Sequence, residues 1–283
     1  MSATTAAAPL PRARTRSRVR IGQWILPVFT GLAVAYLFIP IAVMILFGFN
    51  EPRGRFNFTW QGFTLENYAE LLSVPGLGDA LITSLVVAFI STIAATVLGT
   101  LIALALTRHT FGGRGPFNVL IFLPIATPEV VLGASLLALF VSLGVARDIT
   151  TIIVAHIMFD ISYVVITVRA RIAGFDRRLE EAAMDLGANE WTTFRKVTLP
   201  LIFPGILAAA LLAFALSIDD FVITLFVAGR TSTFPLWVYG ASRIGIPPQV
   251  NVMGTLIFVV AAVGIVGWIL LQRRELTARP FDA

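Results

Sequence analysis

Cysteine is absent from this chain, and histidine occurs only as His109 and His156. With no thiol there is no disulfide, no thiolate metal site and no cysteine nucleophile, and two histidines are too few for a histidine-rich metal centre. Lysine is nearly missing too: of 21 basic residues, only Lys196 is not arginine. Charge of both signs is scarce, at 13% of 283 residues, where soluble domains carry about 25%. No G-x-x-x-x-G-K-[ST] phosphate loop occurs, which excludes that mode of nucleotide binding. Ser-His-Asp arrangements, H-E-x-x-H and paired soluble carboxylates are missing as well. Residues 112–115, Gly-Gly-Arg-Gly, read as a short turn with no helix behind it to cradle phosphate. These absences leave no catalytic set, no metal site and no cofactor held by the chain itself, and nothing that would bind nucleic acid.

What the chain has in excess is apolar surface. Residues of that kind make up 57% of it, with a mean hydropathy of +0.88, so its solvent is a lipid bilayer. A hydrocarbon core about 30 Å thick is crossed by about 20 apolar helical residues, and six such runs occur, at 24–49, 80–106, 117–145, 149–168, 204–229 and 251–271. Alternation of period two over about ten residues, the mark of a membrane barrel, does not. The first run is too long for a cleaved signal and no small-residue cleavage site follows Asn50, so it reads as a retained helix. The expected fold is therefore all-α, with six transmembrane helices. A basic tail at 1–23 precedes a membrane domain at 24–271, and a second tail occupies 272–283. Six spans place the two tails, the second loop and the fourth loop on one side, where 16 of the 21 basic residues fall. The positive-inside rule then sets both termini in the cytoplasm of a bacterial cell.

Four of the sixteen acidic residues fall inside spans: Glu129, Asp160, Asp219 and Asp220. A charge at the bilayer centre costs about 2.5–3.5 kcal/mol on insertion scales, and no intramembrane Lys or Arg offsets these four. Ser217, Asp220 and Thr224, at i, i+3 and i+7, can share one polar stripe of the fifth span. Adjacent Asp219 points about 100° away unless the helix opens there. Thr127-Pro128-Glu129 reads as the cap and first turn of a restarted helix, which stabilises a carboxylate at Glu129 through the helix dipole. His156 and Asp160 are i, i+4 neighbours and read as a structural polar pair. Phe221, Phe226 and Trp237 are candidate aromatic partners for an alkyl-ammonium ligand.

The longest loop on the basic side, 169–203, carries its own local order. Asp176 is an N-cap, and Leu179, Ala182, Ala183 and Leu186 form one apolar stripe. Gly187 stops that helix, and Asn189 caps a second one, which Leu199-Pro200 ends. The spacing Glu181-Ala182-Ala183, then Gly187, then Val197-x-Leu199-Pro200 resembles the EAA loop of ABC-importer permeases, with Val where isoleucine is commoner. The resemblance implies the type I importer fold and makes this loop the coupling helix that docks on an ATPase subunit. Thr64-Leu65-Glu66-Asn67-Tyr68 looks like the capped helix such permeases carry after their first span. Ser217-Ile218-Asp219-Asp220-Phe221-Val222, Thr127-Pro128-Glu129, Trp60-Gln61-Gly62-Phe63 and Pro248-Gln249-Val250-Asn251 are similar to stretches of the spermidine/putrescine permeases. That likeness implies an inner-membrane subunit paired with a homologous permease, two ATPase subunits that use ATP and magnesium, and an extracytoplasmic binding protein. The implied cargo is a polyamine. Two other readings stay open at this level: an ABC permease for another small solute, and a proton- or sodium-coupled secondary transporter.

Overall fold

The computed structural model describes residues 22–54 and 56–277. The basic tail up to residue 21, and residues 278–283 of the C-terminal segment, lie outside the described residues. Those described form helices and loops, with one isolated antiparallel bridge between Asn50 and Phe63. Helix α1 (Gly22–Gly48) is followed by a loop holding the short α2 (Glu66–Ala69). Then come α3 (Leu77–Arg108), α4 (Arg114–Ala126), α5 (Glu129–Ser142) and α6 (Ile149–Ala173). A hairpin of α7 (Arg178–Asp185) and α8 (Glu190–Thr193) leads through one π-helical turn, Phe194–Thr198, into α9 (Leu199–Asp219). The chain closes with α10 (Val222–Val227), α11 (Phe234–Ile244) and α12 (Pro248–Thr277).

The directions of these helices follow from a few contacts. Arg108, the last residue of α3, binds Glu180 in α7, and α6 ends five residues before α7 begins. Helices α3 and α6 therefore run parallel and end on one face, here the hairpin face. Arg169, in the penultimate turn of α6, donates to Asn118 of α4 at 2.7 Å. At the other end of α6, Thr151 donates to the carbonyl of Val227 at 2.8 Å. Helix α5 ends seven positions before α6 begins, and its Phe140 packs in one cluster with Ile152 and Val227, so the bent pair α4–α5 travels from the hairpin face to the far end of α6, a helix of 25 residues and about 37 Å. Although its two halves meet at 108°, the pair is a broken crossing and not a re-entrant loop. With the five long apolar helices it makes six crossings. Met44 of α1 lies against Gly254 of α12, and Gly48 against Val252, so these two helices are antiparallel and the first and last crossings both open onto the hairpin face.

Small residues let the central helices approach. A Cβ on Gly99 of α3 would sit 2.6 Å from Val164 Cγ1 and 3.3 Å from the Ile161 carbonyl of α6; between lipid-solvated helices such close backbone packing is the main attraction. One apolar layer, with Ala95, Ala103, Val164, Val168, Ile202 and Ala209, joins α3, α6 and α9 toward the hairpin face. A second, with Val87, Leu136, Phe140, Ile152, Phe159 and Ile223, joins α3, α5, α6 and α10 toward the opposite face. By contrast α1 is exposed along nearly all its length, as suits a helix solvated by lipid or a neighbouring subunit. On the opposite face the α1–α3 loop caps α1: Asn57 donates to the Phe47 carbonyl at 2.8 Å and buried Asn67 to that of Gly48 at 3.0 Å. Both carbonyls belong to the last turn, which lacks intrahelical donors.

Four local expectations are corrected. Residues 112–115 do lead into a helix, since α4 starts at Arg114 behind Gly113 at φ +93°. The Thr127 hydroxyl bonds back to the Leu123 carbonyl at 2.7 Å and does not cap α5. Leu199-Pro200 does not end a helix. The π-turn bonds Leu199 N to the Phe194 carbonyl, so the backbone absorbs a proline that cannot donate and runs on into α9. Finally, the fifth span is interrupted at Asp220, and the amphipathic α11 between it and α12 had no counterpart in the hydropathy pattern.

Candidate functional site

The interruption of the fifth crossing separates the two neighbouring carboxylates. Helix α9 ends at Asp219, and Asp220 takes an extended conformation (φ −64°, ψ 120°) before α10 begins. Asp220 turns inward and caps α10. Its Oδ2 accepts from the Thr224 amide at 2.8 Å and the Thr224 hydroxyl at 2.7 Å, and its Oδ1 accepts from the Ile223 amide at 3.3 Å. The side chain is 7% exposed, and Oδ2 lies 3.3 Å from His156 Nε2.

His156 is the hub of a buried polar chain. Its Nε2 is 2.9 Å from Thr224 Oγ1 and its Nδ1 2.7 Å from Ser217 Oγ, which is 3.0 Å from Ser91 Oγ. Because the Thr224 hydroxyl gives its one proton to Asp220, Nε2 must be the donor toward Thr224. Ser91, Ser217, His156, Thr224 and Asp220 thus tie α3, α9, α6 and α10 together where the two apolar layers meet. Ser217, Asp220 and Thr224 do share a stripe, as their spacing predicts, but the stripe faces protein. The expected His156–Asp160 pair is not formed, because both ring nitrogens are committed to neighbouring helices. Asp160 is fully buried, and neither carboxylate oxygen finds a hydrogen-bond partner among the described residues.

Asp219 points the other way. It is exposed and lines a cavity of about 700 Å³ between the end of α9, α11 and α12, with Phe221, Phe234, Tyr239, Ser242 and Phe258 among the walls. Phe221 and Tyr239 pack with ring centroids 4.7 Å apart. No salt bridge reaches Asp219 among the described residues. Of the three aromatics proposed from sequence only Phe221 is here. Phe226 fills the space beside Gly133 in the core, and Trp237 donates to the Pro75 carbonyl at 3.3 Å. Glu129 starts α5 at the bend, exposed and outside this cavity. Tyr239 and Phe234 went unforeseen because the helix that carries them did.

The hairpin presents a second functional surface. Asp176 accepts from the Arg178 amide at 3.0 Å and Asn189 from the Thr192 amide at 2.8 Å, so both caps act where the sequence placed them. Gly187 takes φ +86°, a conformation only glycine adopts freely. Glu181, Ala182, Gly187 and Pro200 are exposed, with Ala183 and Leu199 half-buried. Leu186 is 90% exposed and Trp191 is exposed as well. What sequence reasoning missed is Glu180. It is buried and accepts from both terminal nitrogens of Arg108 and from the Thr198 hydroxyl, with one bond at 2.8 Å. Burial pushes its carboxyl up, but hydrogen bonds from Arg108 and Thr198 and the charges of Arg108 and Arg177 outweigh that and hold it below the usual carboxylate range. Arg108 lies 72 positions away in sequence, so no local pattern could reveal the pair.

Six candidate membrane crossings, an interrupted helix beside a cavity lined by one carboxylate, and an amphipathic hairpin with exposed Leu186 and Trp191 are consistent with a membrane permease. Residues 95–275 match the model of the binding-protein-dependent transport system inner membrane component family, and the chain belongs to that family. It is 38% identical over 254 residues to the spermidine/putrescine transport system permease protein PotC of Escherichia coli (strain K12), covering 89% of this chain and 96% of that one. To the putrescine transport system permease protein PotI of the same strain it is 38% identical over 253 residues, covering 86% and 89%. Among solved structures it resembles a chain of a bacterial ABC transporter involved in the import of the acidic polysaccharide alginate. The TM-score is 0.66 at 17% identity, over 89% and 96% of the two chains. An amino acid ABC transporter matches at a TM-score of 0.57 and 18% identity, over 75% and 100%. At such identity these two share the fold.

Proposed function

We propose that this chain is one of two related permease subunits of an ATP-driven importer, and that its cargo is a polyamine such as spermidine or putrescine. The observation that carries the cargo reading is Asp219, an exposed carboxylate with no ion-pair partner among the described residues, set in an aromatic-walled cavity. A neutral sugar has no use for that charge, and an anion is repelled by it. The same fold serves an importer of an acidic polysaccharide, so the preference for cations resides in side chains such as this one. Charges 4 Å apart at an effective dielectric of about 20 attract by about 4 kcal/mol before desolvation. Glu129 stands as a further acidic point on the route, at the α4–α5 bend.

In this reading the hairpin face is cytoplasmic, where most of the arginines lie, and the α7–α8 hairpin docks on one of two ATPase subunits, which use ATP and magnesium. Glu181, Ala182, Ala183 and Gly187 form the contact, with Leu186 and Trp191 as its apolar anchors. An extracytoplasmic binding protein delivers cargo to the opposite face, and closure of the ATPases opens the cavity toward it. A secondary transporter would leave the exposed Leu186 and Trp191 of this hairpin without a partner.

Uptake of labelled putrescine into proteoliposomes holding the full importer tests the assignment. Asp219→Asn should cut uptake roughly tenfold, which corresponds to about 1.4 kcal/mol, while the subunits still assemble. Asp220→Ala should instead reduce the amount of assembled importer, since losing an N-cap costs about 0.5–2 kcal/mol and His156 loses its carboxylate. Undiminished uptake by Asp219→Asn would remove the acidic-pathway reading.

A further inference from the structure

Several oxygens in the seam between α3 and α6 are buried without a partner. Among the described residues, Asp160 Oδ1 and Oδ2 and the hydroxyls of Thr92, Thr96 and Thr100 are all buried and make no hydrogen bond. Elsewhere on α3 the threonines bond back to the preceding turn, the usual outlet for a hydroxyl on a helix. Thr83 donates to the Asp79 carbonyl at 2.8 Å and Thr107 to that of Ala103 at 2.6 Å. Thr92, Thr96 and Thr100 make no such bond.

Register brings these hydroxyls to Asp160. Helices α3 and α6 run parallel, and Gly99 meets Val164 and the Ile161 carbonyl. Thr96 lies three residues before Gly99 and Asp160 four before Val164, so each shares its neighbour's face one turn nearer the far end. Thr92 continues the same stripe of α3 by a further turn, level with His156, which Ser91 reaches through Ser217. Thr100 stands one residue past Gly99. From α9, antiparallel to both, the position one turn from Ser217 is the fully buried Ala213, which offers no charge. His156, one turn along α6, is committed to Ser217 and Thr224, and its neighbour Asp220 is itself acidic. Asp160 therefore has no basic partner among the described residues.

We propose that Asp160 and the hydroxyls of Thr92 and Thr96 form a binding site for a monovalent metal cation, Na+, buried between α3 and α6. A lone carboxylate inside a bilayer is retained where something neutralises it, and buried charges are paired or hold metals. Carboxylate and hydroxyl oxygens are hard ligands that suit hard cations. One carboxylate balances one positive charge, which favours Na+ over a divalent ion. Helices in contact at Gly99 leave a narrow seam, which favours Na+ over the larger K+. The ion links two crossings one turn from their closest approach, so its effect falls on the stability of that pair. The inference does not depend on which solute the importer carries.

Thermal unfolding of the detergent-purified importer tests this, after exchange into choline chloride and titration with NaCl at constant total salt. The melting temperature should rise with log[Na+] above the dissociation constant, as for any ligand that binds only the folded state. KCl should move it less. Thr96→Val, which removes one hydroxyl and keeps the shape, should shift the midpoint of the Na+ response to a roughly tenfold higher concentration. Asp160→Asn should abolish the response, and Thr83→Val, outside the seam, should keep the parental midpoint. A parental melting temperature that ignores Na+, or that KCl and NaCl raise equally, overturns the inference. A Na+ response that persists unchanged in Asp160→Asn does so too. If Asp160→Asn does not assemble, Thr96→Val decides alone, and an unshifted midpoint rejects the site. An Asp160→Asn importer as stable as the parent, with no Na+ response in either, also rejects it and assigns the carboxyl a proton in place of the metal.

Discussion

Glu180 and Glu181 are adjacent and have opposite environments. Glu181, the acidic residue of the recognisable loop motif, is exposed, whereas Glu180 is buried beneath it and bound to the end of α3 through Arg108. The pair fastens the hairpin to a crossing that lines the central packing, so a push on the hairpin is felt by α3. Arg108 keeps 25% of its side chain in contact with solvent, which softens the loss if its partner is removed. Glu180→Gln should therefore destabilise the detergent-purified importer by roughly 1.5–3 kcal/mol, the range for hydrogen bonds to charged groups. The sign with pH follows from a carboxyl held below its ordinary value. Its stabilising contribution is complete above the unfolded value of about 4.3 and is lost as pH falls through the lower folded value. Melting curves of parental and Glu180→Gln importer should differ at pH 7 and converge as the medium is acidified below about 4; a gap that persists there would assign the effect to packing.

At the scale of elements, the contact between α3 and α6 depends on the absence of a side chain at Gly99. A Cβ there would lie 2.6 Å from Val164 Cγ1, and the neighbouring Ile161 carbonyl belongs to backbone that cannot yield cheaply. Overpacking of this kind costs about 1–3 kcal/mol. Gly99→Leu should lower the melting temperature of the purified complex clearly, and more than Gly99→Ala does. Gly31→Ala, placed on α1 with nothing within 4 Å, should leave it unmoved. Equal melting temperatures for Gly99→Leu and Gly31→Ala would show that α3 and α6 do not pack so closely. The boundaries of elements were legible where a cap or a glycine marked them, as at Asp176, Gly187 and Asn189. They were misread at Pro200, where a π-turn accommodates a residue that ordinarily ends helices, and left open at Asp220, where the break lies within an apolar run.

For the whole molecule, the decisive feature is parity. Because α4–α5 links opposite ends of α6, the crossings number six and the first and last helices open on the same face as the hairpin. Six spans would put 16 of the 21 basic residues on that side, and the positive-inside rule predicts that side to be cytoplasmic. A reporter active only in the cytoplasm, fused at the C-terminus, should be active, and one fused in the α1–α3 loop should be silent. Activity of the loop fusion would reverse the orientation. An inactive C-terminal fusion beside a silent loop fusion would make the bent pair a re-entrant loop.

Hydropathy was enough to specify the six candidate membrane crossings, because lipid imposes length and polarity rules that act on each segment separately. The hairpin was legible too, since caps, a stop glycine and an apolar stripe are local. Tertiary structure alone decided which way each polar side chain faces. Asp219 and Asp220 are equivalent in the sequence, and the interruption after α9 sends one to an open cavity and the other into a cap. His156 looked like the partner of Asp160 at helical spacing, yet Ser217 and Thr224 claim both its nitrogens from other helices. Arg108 meets Glu180, and Phe221 meets Tyr239, across separations that no periodicity spans. Secondary structure follows from interactions within a few residues, whereas a side chain's partner is set by which helices pack against it, and that is a property of the folded bundle.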